Sequence, residues 1–333
     1  MFNRINFRWL IAIFLLLLLV SIVVIILNRS EGATSRNRTF VSELTRIDTA
    51  TVTYISITPR SGNESIELIK KDQVWKVKVD DKNYNADPSA VKGMLVSLSS
   101  LRATRIAARN KDQWAKYEVT DSAATHVIAN AGKKTVADIY LGKFSYQQPK
   151  NANPYMYQQQ GKMTSYVRLT GDKQVYAVDG MIAISFNRNA EDFRNRTLIK
   201  SNKENWNRLV FSLPDNSYSM IKQDNKWMVD GMLADSAAVK SYLSSLAWLN
   251  SSNFIEDRIL ATDIPAYSLS IEGENILTPI KIRAYPADSL NRYVITSSLN
   301  EGSYFSGSKN GLFDKIFKEK NSFLVTQAES NTE

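Results

Sequence analysis

The sequence predicts an α+β protein, with an N-terminal transmembrane helix followed by two tandem copies of a mostly antiparallel sheet-plus-helix unit. Three observations lead there: an uncharged apolar stretch at 9–27, a self-similarity between 66–101 and 218–249, and period-two strand patterns on both sides of a helical one in each copy.

The stretch from Trp9 to Leu27, WLIAIFLLLLLVSIVVIIL, has Ser21 as its only polar side chain. As a helix it is about 28 Å long, close to the hydrocarbon thickness of a bilayer. It is longer than the ~7–15 residue apolar core of a signal peptide, and the NRSEGATSR that follows is a poor cleavage site. An uncleaved anchor is therefore expected at 9–27, behind a cytoplasmic tail at 1–8. Arg4 and Arg8 precede the helix and Arg29, Arg36 and Arg38 follow it, so flanking charge does not fix the orientation. The short N-terminal tail and long C-terminal region favour an N-in, C-out arrangement. Residues 28–45, rich in Ser, Thr, Asn and Arg, read as a linker.

The first repeat is assigned to 46–200 and the second to 201–325. IELIKKDQVWKVKV (66–79) aligns with YSMIKQDNKWMVDG (218–231), matching at Ile69/Ile221, Lys70/Lys222, Asp72/Asp224, Trp75/Trp227 and Val77/Val229. After a four-residue gap, NADPSAVKGMLVSLSSL (85–101) aligns with LADSAAVKSYLSSLAWL (233–249) at nine of seventeen positions, too many in register for chance. Val52–Ile57 and Ser65–Ile69 are β-rich, and a third strand alternates Trp75, Val77 and Val79 on one face. Asp87 then reads as a helix N-cap, with Pro88 at the first helical position. Val91, Met94, Leu95, Leu98 and Leu101 form one apolar stripe. The second copy repeats this with Asp235 as cap and Val239, Tyr242, Leu243, Leu246 and Leu249 as stripe. Each helix should pack on a sheet with Trp75 or Trp227 in the shared core.

Further strands are expected after each helix: Thr125–Asn130, Thr135–Leu141, Tyr166–Leu169 and Gln174–Val178, then Tyr267–Ile271, Pro279–Tyr285, Arg292–Thr296 and Tyr304–Ser306. A helix is expected over Gly180–Arg196, with Leu312–Phe317 as its counterpart, and a frayed tail at 326–333.

The Trp-strand, Ala-Asp and amphipathic-helix cassettes at 75–101 and 227–249, with TSYVRLTGDKQVYAVDG (164–180) and DFRNRTLI (192–199), resemble an uncharacterised bacterial membrane-anchored family known as domain of unknown function 4340. The resemblance extends over nearly everything after residue 50. It implies an inner-membrane protein with a periplasmic domain, and an accessory role beside ABC-type transport or gliding-motility components. The polar stretch 145–162 departs from the short turn that the family would have there.

Composition narrows the chemistry. The chain has no cysteine, which removes disulfides, thiolate metal sites, a cysteine nucleophile and a lipid-anchor cysteine. Net charge is +9, of which the first thirty residues carry +3. The rest is scattered among acids, as on a solvated surface, and an attraction to anionic envelope surfaces or lipid head groups is the alternative. His126 is the only histidine, placed in a strand with no evident partner for a hydrolase triad or zinc site. The acidic clusters Asp80-Asp81, Glu118/Asp121 and Glu256-Asp257 lie beside turns, and phosphate-binding glycine loops are absent. The cluster Arg102, Arg105, Arg109 and Lys111 has no nucleic-acid-binding motif around it, so no nucleic-acid partner is expected. No cofactor, metal or catalytic residue is assigned.

One segment has a composition suited to contact. Tyr146, Pro154, Tyr155 and Tyr157, set among Gln and Asn in 145–162, suit a glycan or a protein partner, and an ordinary exposed excursion is the alternative. The expected function is thus a non-catalytic, membrane-anchored envelope protein that docks on another envelope component. A polysaccharide-binding module using 145–162 and an extracytoplasmic hydrolase with an unrecognised carboxylate site are the rivals.

Overall fold

The computed structural model of the chain describes residues 42–60, 64–99, 101–148, 161–255, 264–287, 293–307 and 311–325. The predicted anchor 9–27 lies outside the described residues, as do Pro154, Tyr155, Tyr157 and the tail 326–333. Among the described residues, no helix is long and apolar enough to cross a membrane.

Turn chemistry sets the register of each repeat. Asp72-Gln73 and Asp224-Asn225 occupy the left-handed region, with φ of 48° and 66° and of 47° and 60°. Consecutive positive φ values make the tight hairpin turn whose twist matches paired strands. These turns join β2 (Ile66–Lys71) to β3 (Val74–Val79), and β11 (Tyr218–Gln223) to β12 (Lys226–Val229).

The first sheet also contains β1 (Tyr54–Thr58), β4 (Lys82–Asn85), β5 (Ala103–Ala108), β6 (Thr125–Ala131), β7 (Lys134–Gln147), β8 (Lys162–Leu169) and β9 (Val175–Asp179). Its order is β4-β3-β2-β1-β6-β7-β8-β9-β5. The second sheet adds β10 (Trp206–Ser212), β13 (Met232–Leu233), β14 (Tyr267–Gly273), β15 (Ile280–Pro286), β16 (Tyr293–Ser297) and β17 (Phe305–Ser306), in the order β13-β12-β11-β10-β14-β15-β16-β17. Without β5, the two orders are the same.

One long helix packs on each sheet, α1 (Pro88–Ser99) on the first and α3 (Ser236–Leu246) on the second. α1 buries Val91, Met94, Leu95 and Leu98, and α3 buries Val239, Tyr242, Leu243 and Leu246. Asp87 Oδ1 accepts hydrogen bonds from the amides of Ser89 and Ala90. Asp235 Oδ1 does the same for Ala237 and Ala238. The cap amides also donate backward, Asp87 to the Phe193 carbonyl and Asp235 to that of Phe323. One residue thus starts each helix and fastens the closing segment of its repeat.

The equivalence extends to the opening segments. Leu44 and Leu198 donate to the carbonyls of Leu101 and Leu249, and Ile47 and Ser201 to those of Ser99 and Ala247. Residues 42–45, expected as the end of a linker, therefore belong to the first unit, where Leu44 and Thr45 are buried. Arg196–Lys200 likewise opens the second unit.

Two further expectations change. Gly180–Arg196 is not one helix but two short 3-10 turns, Ile182–Ser185 and Ala190–Phe193. Ile182, Phe186 and Phe193 imitate helical spacing, but Asn187 and Asn189 interrupt it, and Asn189 forms a capping box with Asp192. Trp75 and Trp227 are half-buried and pack against the edges of their cores, not within them. Among the described residues, the fully buried tryptophan is Trp206 on β10.

The first repeat carries an addition. Residues 103–124 supply β5 and the short α2 (Trp114–Tyr117), which cover the outer face of the first sheet around Val119, Tyr166 and Val175. Arg168 is clamped there between the rings of Tyr140 and Trp114, at 3.7 and 3.9 Å from their centroids. It also bonds Asp121 at 2.7 Å and the Val119 carbonyl at 2.9 Å.

The two units meet at Arg194. Its backbone bridges to Ala86, and its guanidinium lies 3.6 Å from the ring centroid of Tyr84 in the first unit and 3.7 Å from that of Phe254 in the second. Nη1 reaches Glu191 at 3.0 Å, and the side chain is wholly buried. Asn300 supports the joint: its Nδ2 donates to the Asn195 carbonyl at 2.6 Å, and its Oδ1 accepts from Asn85 at 3.3 Å.

The second core contains an aromatic cluster of Phe211, Tyr218, Tyr242 and Phe323. Tyr218 donates to the Lys318 carbonyl at 2.6 Å and Tyr242 to that of Ile316 at 2.5 Å. Burial pushes both phenols well above their ordinary range. A raised folded-state pKa adds stability that is fully present below the unfolded value, about 10, and is lost as pH rises beyond it. Urea midpoints are therefore expected to hold steady up to about pH 10 and to fall above it. The Tyr218→Phe/Tyr242→Phe variant should show a shallower alkaline fall and lose about 1 kcal/mol per hydrogen bond at neutral pH.

Candidate functional site

His126 on β6 does have partners, contrary to expectation: its Nε2 lies 2.7 Å from Asp138 Oδ1 on β7, and its ring stacks on Tyr140 at 4.2 Å. The Thr170 hydroxyl also bonds Asp138, going to the carboxylate and not to the imidazole. In a nucleophilic triad the hydroxyl lies on the imidazole, and the carboxylate lies behind it. His126, Tyr140, Arg168 and Trp114 instead form a cross-strand ladder that holds α2 to the sheet.

The acidic clusters are accounted for locally. Asp80 sits at a turn with φ of 50°, Glu118 pairs with Arg60 at 2.8 Å and Asp121 pairs with Arg168. Glu256 and Asp257 lie outside the described residues. Among the described residues, no group of three or more His, Asp or Glu could hold a metal ion. At Asp230, a 2.8 Å bond from Lys320, with the amide of Ser219, holds the carboxyl below its usual range.

The stretch 145–162 begins and ends as paired strand. Tyr146 faces Met163 and Gln147 faces Lys162, which lengthens the β7–β8 hairpin. Tyr146 is 53% exposed. Its ring occupies the space that a side chain at Gly161 would need, since a Cβ there would come within 2.2 Å of it. Tyr146 is thus propped on a glycine at the hairpin's base.

A cleft of about 580 Å³ lies at the joint between units. Its walls are the start of α1 at Asp87 and Pro88, the segment Arg196–Lys200, and Trp248 with Asn250 after α3. Trp248 is 64% exposed, yet its backbone is held from both sides, because Asn250 Nδ2 donates to its carbonyl and the next residue, Leu249, accepts from Leu198 and Ile199. Lys200 Nζ lies 6.0 Å above its indole, and Arg196 pairs with Asp192 at 2.8 Å. An exposed aromatic on a held backbone and flanked by cations is an arrangement that anchors protein interfaces.

Sequence reasoning did not single out Trp248, although a signal was present. The residue falls off the α3 stripe, and in the aligned repeats it stands opposite Ser100. Of the residues that were singled out, Asp87 reaches the rim of this cleft, Trp75 and Asp235 belong to the scaffold of their own repeats, and Trp227 packs on its core while lining a separate groove.

A family model described as domain of unknown function (DUF4340) matches residues 75–270, which is more than half of the chain. The chain belongs to this family. The match runs from Trp75 on β3 through Arg194 and Trp248 to β14, so it includes the joint, and it is narrower than the span over which the sequence resemblance was drawn. No curated protein matches this DUF4340 chain, and no solved structure does.

The exposure of Trp248 sets an energetic expectation. Trp248→Ala should change unfolding stability by no more than about 0.5 kcal/mol, as for a surface residue. Trp206→Ala should cost about 3–5 kcal/mol, and urea denaturation of the two variants measures the contrast.

Proposed function

We propose that this DUF4340 protein is a non-catalytic component of the bacterial envelope, and that its two-unit body docks a protein partner at the cleft between the units. Residues 9–27 anchor it in the inner membrane, with the N-terminus cytoplasmic and the body periplasmic. The partner is another envelope component, and the protein is its accessory subunit, in keeping with the transport-associated role that the resemblance implies.

The observation that carries this reading is Trp248. An indole left open to solvent on a rigid element loses little entropy when it is covered, which is what a binding anchor requires. It stands over a cleft made by both units, so a partner seated there would contact both at once. The binding of His126 to Asp138, with the Thr170 hydroxyl directed away from the ring, favours a structural role for the one histidine.

The absence of cysteine gives a direct test. Asn250→Cys places a single thiol on the cleft rim, and Lys133→Cys places one on the exposed turn between β6 and β7. In intact cells both should react with a membrane-impermeant maleimide. With a photoactivatable maleimide, position 250 should yield a discrete protein adduct and position 133 none. Labelling only after cell lysis would overturn the topology. Adducts at both positions, or at neither, would overturn docking at the cleft.

A further inference from the structure

A second groove, of about 380 Å³, lies in the second unit between the β11–β12 hairpin and α3. Its apolar floor is Trp227, Val239 and Leu243, and its rim is Lys203, Lys222, Lys226 and Lys240. Glu204 is the carboxylate in the lining, and it lies 3.7 Å from Lys203, whose Nζ also donates to Ser244 at 2.8 Å. Lys222, Lys226 and Lys240 form no ion pair among the described residues. Lys222 stands opposite Trp227 across β11 and β12, Lys240 lines the groove from α3 and Lys226 borders it from the hairpin, so three lysines without a counter-charge surround one half-buried indole. An anion entering the groove would meet this local excess of positive charge.

The first repeat supplies an internal comparison. Its equivalent surface keeps Trp75, Lys70 and Lys92, matching Trp227, Lys222 and Lys240. Val74 stands where the second repeat has Lys226. The opening segments align through their shared backbone bonds, and through Asp48 and Asn202, which cap the same turn two residues downstream. That alignment places Thr49 opposite Lys203 and Ala50 opposite Glu204. Lys70 in turn reaches back to the Ala50 carbonyl at 3.4 Å. The scaffold is common to both repeats, and the added cations belong to the second alone.

We propose that the Trp227 groove binds an anionic saccharide, with a sugar ring lying on the indole and carboxylate or phosphate groups among the lysines. The volume falls within the ~300–1,000 Å³ of small-molecule sites. An apolar floor under a charged rim selects a ligand with a flat, weakly polar face and charges at its edge. A bare anion would use only the rim. The site is separate from the cleft at Trp248 and does not rest on the docking reading.

The test is calorimetric titration of the full chain in neutral detergent with tetragalacturonate, glucose 6-phosphate and inorganic phosphate, beside flotation with sugar-free vesicles of anionic phospholipid. At least one of the two saccharides should bind, more weakly at higher salt, and more tightly than inorganic phosphate. Lys226→Glu/Lys240→Glu, both exposed positions, should weaken that binding at least tenfold. Trp227→Leu should weaken it comparably, and Trp75→Leu should leave it unchanged. Failure of both saccharides to bind, equal affinity for inorganic phosphate, or insensitivity to Trp227→Leu would overturn the proposal. So would vesicle binding lost in the same variants while neither saccharide binds.

Discussion

The buried guanidinium of Arg194 is the constraint on which the architecture depends. A charge wholly removed from water is tolerated only where its environment replaces the lost hydration. Here Glu191 supplies a counter-charge, and the rings of Tyr84 and Phe254 cover the two faces of the guanidinium. Because one ring comes from each unit, neither unit alone completes the arrangement. The corresponding position in the second repeat is Leu324, which forms the same backbone bridge, to Ala234, near the end of the described chain. A leucine is sufficient where a repeat ends, and an arginine stands where one repeat must be fastened to the next.

Duplication separates what the fold needs from what has been added to it. The features held in common are those of a stable sheet-plus-helix unit: the positive-φ hairpin turn, the aspartate cap that also ties the closing segment, the apolar stripe and the edge tryptophan. Some of the differences fall where ligands could act. Trp248 replaces a serine beside the joint, and Lys203 and Lys226 replace a threonine and a valine around Trp227. The insertion 103–124 closes the outer face of the first sheet through the Arg168 clamp, leaving that face less open to partners.

Much of the fold was legible because its signals are local. Cap, proline and a 3.6-residue stripe specify α1 within a dozen residues, and the repeat confirmed the same logic for α3. The failures have physical causes. β10 is not evident in the sequence, because Asn207 and Arg208 after Trp206 break the period-two alternation, and its burial follows from pairing with β11 and β14 on either side. Gly180–Arg196 carried helical spacing without the uninterrupted backbone that a helix requires. The partners of His126 and the burial of Arg194 are tertiary facts, created by strands and rings distant in sequence. The candidate sites were overlooked for a different reason. Aligning the copies draws attention to identities, which mark the scaffold, whereas Trp248 and the groove lysines lie among the differences.

The two units form one body because Arg194 locks them. Calorimetric unfolding of the wild-type protein beside Arg194→Ala tests it most directly. A single cooperative endotherm is expected for the wild type. The variant should lose about 2–4 kcal/mol, from two desolvated cation–π contacts and their packing, and resolve into two transitions as the units uncouple. An unchanged melting temperature with one endotherm in both proteins would contradict it.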